Sequence, residues 1–178
     1  MKASGIFPRL FSEIPQRSIG IKLVEKLTAS GKRLVTAESL TAGMIAATVA
    51  DVPGASRALW GGFICYSSEA KVRVLGVNPA TIADYGVVSE PTAREMALGA
   101  LKRSEADIAV AVTGVAGPSR NEGDPQVGTV DIAICRKTAE TCPACNSKRM
   151  HFTGNRRRIR EQTVRAALSW VYDCLDRP

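Results

Sequence analysis

The stretch DIAVAVTG, residues 107–114, is almost wholly apolar, with no polar residue at alternate positions. A strand of that kind turns neither face to water, so something must cover both, as in sheets sandwiched between helices. The rest of the chain supplies the covers. Ile19, Leu23, Val24 and Leu27 follow helical spacing ahead of Gly31. RLVTAES (33–39) reads as a short strand and TAGMIAATVAD (41–51) as a helix ended by Pro53 and Gly54. GGFICYS (61–67) reads as a strand, and SSEAKVRVLG (67–76) and Pro79 to Gly86 as short helices. PTAREMALGALKRS (91–104) is a helix with proline in its first turn, where a missing N–H costs nothing. GTVDIAIC (128–135) and SKRMHF (147–152) are strands joined without a helix, so they can pair antiparallel. A last helix carries Ile159, Thr163, Ala166, Trp170 and Cys174 on one face. Strands alternating with helices predict an α/β fold: one three-layer α/β/α domain with a mixed sheet. Its 178 residues suit one domain, read as 18–178 behind a loose arm at 1–17.

Composition narrows the classes. Apolar residues make up 45% and charged residues 23%, an ordinary globular balance. The formal net charge of +7 favours anionic partners, among them phosphorylated metabolites. Aromatic content of 5% is low for base stacking and no nucleic-acid-binding motif is present, so nucleic acid is not the expected partner. No apolar run reaches membrane-span length, and Pro8, Arg9, Glu13 and Pro15 interrupt the N-terminus against a signal peptide. Five cysteines in no disulfide-scaffold pattern leave the cytoplasm as the expected compartment.

Four segments could carry chemistry. In TAESLTAGM, Ser39 lies where a strand gives way to a helix, whose unpaired amides can hold a phosphate or oxyanion. Thr41, Ala42 and Gly43 are small enough to let a ligand approach. Ser39 is either a helix cap, the commoner role for such a residue, or a nucleophile. A nucleophile needs a base. The one histidine, His151, lies far along the chain, and Lys71 could serve if burial lowered its pKa. An exposed helix lysine paired with a carboxylate is the commoner outcome. In TGVAGPSRNEGDPQVGT (113–129), Thr113 ends the buried strand, and Gly114, Gly117, Gly123 and Gly128 permit close approach or unusual dihedrals. The arginines of GNRRRIR (154–160) can grip a phosphate or simply face solvent. Cys142 and Cys145, with Cys135 and His151, could hold zinc or form a disulfide, though free cysteines are commoner; Cys65 and Cys174 read as core.

Nine of these pieces occur together, in order: TAESLTAG, DVPGAS, GGFICYSSEAK, LGV, GVVSE, REMALGAL, AVAVTGVAGP, VGTV and GNRRRIR. In that combination the chain resembles the CinA C-terminal domain family, whose stand-alone members are nicotinamide-nucleotide amidohydrolases. The resemblance implies an α/β/α fold and an enzyme that deamidates nicotinamide mononucleotide to nicotinate mononucleotide and ammonia, a step of pyridine nucleotide salvage. It implies a serine–lysine pair falling on Ser39 and Lys71, with Tyr66 as a second hydroxyl in the proton path. Oxyanion-holding amides would start the Thr41 helix, and Thr113, Gly114 and Gly117 would line the nucleotide pocket beside Thr41, Ala42 and Gly43. Arg156 and Arg160 fall on arginines assigned to phosphate contact. No metal or organic cofactor is implied, and the family points to a homo-oligomer. Leu40 and Ala42 depart from the family's AESCTGG pattern, and they support a second reading as a nucleotide- or partner-binding module with little catalysis.

Overall fold

The computed structural model describes residues 16–138 and 143–176. Its elements run α1 (Gln16–Ala29), β1 (Leu34–Glu38), α2 (Met44–Ala50), β2 (Leu59–Ile64), α3 (Ser68–Ala70), α4 (Pro79–Tyr85), α5 (Glu90–Lys102), β3 (Ile108–Gly114), β4 (Thr129–Arg136), β5 (Ala144–His151) and α6 (Arg156–Cys174). The sheet order is β2-β1-β3-β4-β5. The first three strands are mutually parallel, and β4 and β5 are antiparallel additions. The fold is therefore α/β with a mixed sheet, as the alternation of elements predicts.

Strand alternation sorts the side chains into two cores. Leu34, Ile108, Val110, Val112, Ile132 and Ile134 point to one face and pack with residues of α1, α2 and α6. Val35, Ala37, Ala109, Ala111 and Ala133 point to the other and pack with Met96, Ala97 and Ala100 of α5. Bulky branched residues hold one helical layer at full distance, while alanine against alanine lets α5 settle closely on the second face. Gly99 carries that close approach further, since a Cβ there would run into the Leu75 carbonyl.

Several boundaries differ from the sequence reading, among them the start of α2, which lies at Met44 and not at Thr41. Helix α1 already includes Gln16 and Arg17, and residues 1–15 of the expected arm lie outside the described residues. Strand β2 begins at Leu59 and ends at Ile64. The Cys65 amide still donates to the Glu38 carbonyl, and the Ser67 hydroxyl then caps α3 by accepting from the Ala70 amide. Strand β5 starts three residues earlier than expected, which places Cys145 directly opposite Cys135. Those two form a disulfide, correcting the expectation of free cysteines; Cys142 lies outside the described residues. Cys65 and Cys174 are buried and free. Among the described residues no helix is long and apolar enough to cross a membrane.

Candidate active site

The carboxyl ends of the parallel strands β1 and β3 open into a cleft of about 450 Å³, the place where α/β sheets commonly bind ligands. Ser39 follows β1 directly and faces this cleft, with only 7% of its surface exposed. What fixes it there is the residue before it. Glu38 is fully buried, and its carboxylate accepts the amides of Gly43 (2.9 Å), Ile45 (3.0 Å) and Ala46 (2.9 Å) and the Thr36 hydroxyl (3.0 Å). A carboxylate at a helix N-terminus meets the unpaired amides and the positive end of the helix dipole. The anion at the start of α2 is thus Glu38 itself. Those amides are taken, which corrects the expectation that the start of this helix holds a substrate oxyanion.

The turn between β1 and α2 passes through left-handed backbone at Ala42 (φ 50°) and Gly43 (φ 94°). Ala42 bears a Cβ in a region that costs an L-residue roughly 1–2 kcal/mol. Ala42→Gly is therefore expected to stabilise the protein by roughly 1 kcal/mol, part of the strain being offset by glycine's greater unfolded-state entropy. A urea unfolding midpoint checks this; a lower midpoint in the variant would contradict it. Neither Ala42 nor Gly43 lines the cleft: Ala42 is exposed at the surface, and Gly43 packs beside Ile64. Thr41 is buried away from the cleft, and its hydroxyl has no hydrogen-bond partner. The three small residues expected at the ligand are instead the turn that carries Ser39.

Lys71 approaches from the opposite side. It follows α3 as the first residue of a π-helical turn (Lys71–Leu75), and its side chain is fully buried. Its Nζ donates to Ser39 Oγ at 3.0 Å, to the Cys65 carbonyl at 2.9 Å and to the Tyr66 carbonyl at 3.1 Å. Among the described residues no carboxylate forms an ion pair with it. Burial without a counter-charge disfavours the ammonium, and the Lys71 pKa falls to about 8, a shift the neighbouring Cys65 thiol partly opposes. The same burial raises the pKa of Cys65, against the pull of Lys71 and Arg103. The exposed, carboxylate-paired lysine that local pattern favours is therefore not what folds. Lys71 does not line the cleft but stands behind Ser39.

Tyr66 offers its carbonyl to Lys71 but sends its ring elsewhere. Its hydroxyl accepts from Arg156 Nη2 at 2.7 Å, while Arg156 Nη1 donates to the Gly117 carbonyl at 2.8 Å. The expectation of Tyr66 as a second hydroxyl in the proton path is corrected accordingly: both Tyr66 and Arg156 line the cleft, but the phenol is engaged by Arg156. Arg160, one helical turn further on, does not line the cleft. Its Nε donates to the Leu40 carbonyl and its Nη2 to the Thr41 carbonyl, both at 2.9 Å, so its expected phosphate contact is not what the structure builds.

Thr113, Gly114 and Gly117 line the cleft. The buried Thr113 hydroxyl donates to the Val87 carbonyl at 2.9 Å and so ties one apolar wall, Val87 and Val88, to β3. Gly114 has backbone and Val130 atoms at 2.8 Å from where a Cβ would sit, and Gly117 takes a positive φ of 76°. Sequence reasoning passed over the polar lining from Ser67, Ser68, Ser119, Arg120, Asn121 and Asp124. The only signal was the length and polarity of the 115–126 loop, which names no single residue. Among the described residues no group of three histidine, cysteine or acidic side chains could hold a metal ion.

The fold and site thus define an α/β protein with a buried serine–lysine hydrogen bond at the carboxyl end of its parallel strands. The model of the CinA C-terminal domain matches residues 16–175, and the chain belongs to that family. It is 44% identical over 146 residues to a CinA-like protein of Mycolicibacterium paratuberculosis, covering 82% of this chain and 33% of that one. A CinA-like protein of Chlorobium limicola is 43% identical over 148 residues, covering 82% and 34%. The chain therefore spans about a third of the length of these relatives. Among solved structures it is similar to the competence damage-inducible protein A of Klebsiella pneumoniae, at TM-score 0.86 and 34% identity, covering 92% of this chain and 99% of that one. It is similar also to the competence/damage inducible protein CihA of Agrobacterium tumefaciens, at TM-score 0.84 and 34% identity, covering 97% and 99%.

Proposed function

We propose that the chain is an amidohydrolase that deamidates nicotinamide mononucleotide, with Ser39 as nucleophile and Lys71 as general base. The observation that carries the proposal is the 3.0 Å contact between Ser39 Oγ and a buried, uncompensated Lys71 amine. With a pKa of about 8, roughly a tenth of the lysine is neutral at pH 7, enough to accept a proton without a histidine. Neutral Lys71 takes the proton of Ser39 Oγ as that oxygen attacks the carboxamide carbon. The tetrahedral oxyanion then needs donors. Among the described residues the amides of Leu40 and Thr41 are the ones in the Ser39 turn with no protein acceptor, and of these two residues only Leu40 lines the cleft, so the oxyanion falls to the Leu40 amide. Lys71 returns the proton to the departing nitrogen, ammonia leaves, and water, deprotonated by the same amine, resolves the Ser39 ester.

The cleft suits a mononucleotide in size and lining. Val87 and Val88 give the pyridine ring an apolar wall, and Arg120 and Arg156 supply cationic donors for the phosphate. The reading places the reaction in the cytoplasm, in pyridine nucleotide salvage, with the chain acting as a homo-oligomer on the free nucleotide. Hydroxylamine tests the covalent step, because it competes with water for an ester intermediate. Wild type is expected to divert part of its turnover to the hydroxamate, and Ser39→Ala to form none. Ammonia release with no hydroxamate at any hydroxylamine concentration would contradict the Ser39 ester.

A further inference from the structure

The turn that presents Ser39 makes few ordinary backbone bonds. Ala42 donates to the Ser39 carbonyl, Met44 to the Thr41 carbonyl, and Ser39 itself to Val112 on β3. Most of the other backbone bonds of the turn are made to two charged side chains, one accepting and one donating. On the N–H side, the buried Glu38 carboxylate collects the amides of Gly43, Ile45 and Ala46. On the carbonyl side, the Arg160 guanidinium reaches from α6 to the carbonyls of Leu40 and Thr41, 120 and 119 residues away in sequence. Between them they grip residues 40, 41, 43, 45 and 46, yet neither lines the cleft.

We infer that Glu38 and Arg160 are positioning residues that brace the Ser39 turn from its two sides and set the direction of the nucleophile. The inference rests on the Ser39–Lys71 reading for its catalytic consequence, but the brace itself stands on geometry. A trans peptide places its C=O and N–H on opposite sides. Arg160, holding the Leu40 carbonyl from the α6 side, therefore turns the Thr41 N–H away from α6, and a charged donor on the carbonyl polarises that N–H. Arginine suits the task because its planar fork fixes two consecutive carbonyls in a set direction, whereas a lysine ammonium is a compact charge on a flexible stem whose donors fix no such direction. Glu38 suits it because a carboxylate accepts at both oxygens, whereas a glutamine would turn an NH2 donor toward amide donors.

Two measurements on Arg160→Lys, Arg160→Met and Glu38→Gln test the brace. Hydrogen exchange of the peptide covering 39–46 reads the turn without reference to any substrate. It is expected to quicken in all three variants, most in Arg160→Met and least in Arg160→Lys, while the β3 peptide keeps its protection. Unchanged exchange in both Arg160 variants would overturn the brace. Because the buried Glu38→Gln protein has the greater risk of not folding, the Arg160 pair decides. The second measurement is ammonia release from nicotinamide mononucleotide. Misplacement of the nucleophile is expected to lower kcat by about 100-fold in Arg160→Met, with KM nearly unchanged and the pH limb near 8 retained. Quickened exchange with wild-type kcat would show that the brace positions nothing. A raised KM at constant kcat, with discrimination against the dephosphorylated nucleoside lost, would make Arg160 a phosphate ligand instead. If the wild type itself releases no ammonia, the amidohydrolase reading fails, and exchange alone still decides the brace.

Discussion

Lys71→Met is expected to lower kcat for ammonia release by about three orders of magnitude, within the range a well-placed general base contributes. Methionine keeps the volume and the apolar stem but removes the one group among the described residues that is hydrogen-bonded to Ser39 Oγ. Lys71→Arg is expected to fail similarly, because a guanidinium does not give up its proton near neutral pH. The wild-type rate should depend on pH through the same amine. Lys71 acts when neutral and its pKa is about 8, so kcat/KM is expected to climb with pH through that value and then level off. A flat profile between pH 6 and 9 would remove Lys71 from the role. So would a Lys71→Met protein that is folded and fully active.

The second large effect is on stability, and its sign follows from linkage. The folded-state pKa of Lys71, about 8, lies below its ordinary 10.5. Between those values the unfolded chain binds a proton that the native protein does not, so the free energy of unfolding rises with pH across the window. The contribution is complete above 10.5 and lost as pH falls through 8. Its full size is about 3 kcal/mol, from 1.36 kcal/mol for each pH unit of displacement. Lys71→Met removes the titration. The difference in unfolding free energy, wild type minus variant, is therefore expected to grow by about 3 kcal/mol from pH 7 to the alkaline end. Urea unfolding of both proteins at a series of pH values measures it, with the hydrogen bonds lost in the variant entering as a constant offset. A difference independent of pH would mean that burial does not hold Lys71 neutral. On the proposed reading, the protein gives up stability at neutral pH to keep a base behind its serine, a common arrangement at active sites.

The fold was legible wherever an element is long and its pattern unbroken. The apolar run of β3 announced two covered faces, and the absence of a helical pattern in the sequence between β4 and β5 announced an antiparallel pair. Strand β2 was harder to delimit. It is an edge strand with one partner, its exposure alternates, and Cys65 and Tyr66 prolong the apolar pattern past its end. The disulfide was illegible because Cys135 and Cys145 face each other only once the register of β5 is known.

The site shows a sharper division. Local pattern alone favoured Ser39 as a cap and Lys71 as a solvated lysine, and only the order of nine motifs argued otherwise. The fold resolves the conflict physically. Glu38 takes over the capping of α2, which frees Ser39 to face the cleft, and the π-helical turn carries Lys71 inward beneath it. Side-chain direction was the part no sequence pattern could supply. Arg156 and Arg160 lie one helical turn apart in the same basic run, yet one reaches the cleft and the other grips the turn beside it.

The most direct test of the central claim is ammonia release from nicotinamide mononucleotide by the wild type and Ser39→Ala, side by side at pH 8, with folding of both verified. The account predicts release by the wild type and none above background by the variant. Equal release by both would remove Ser39 as nucleophile. A folded wild type that binds the nucleotide but releases no ammonia would contradict the amidohydrolase reading and leave a binding module of the CinA family in its place.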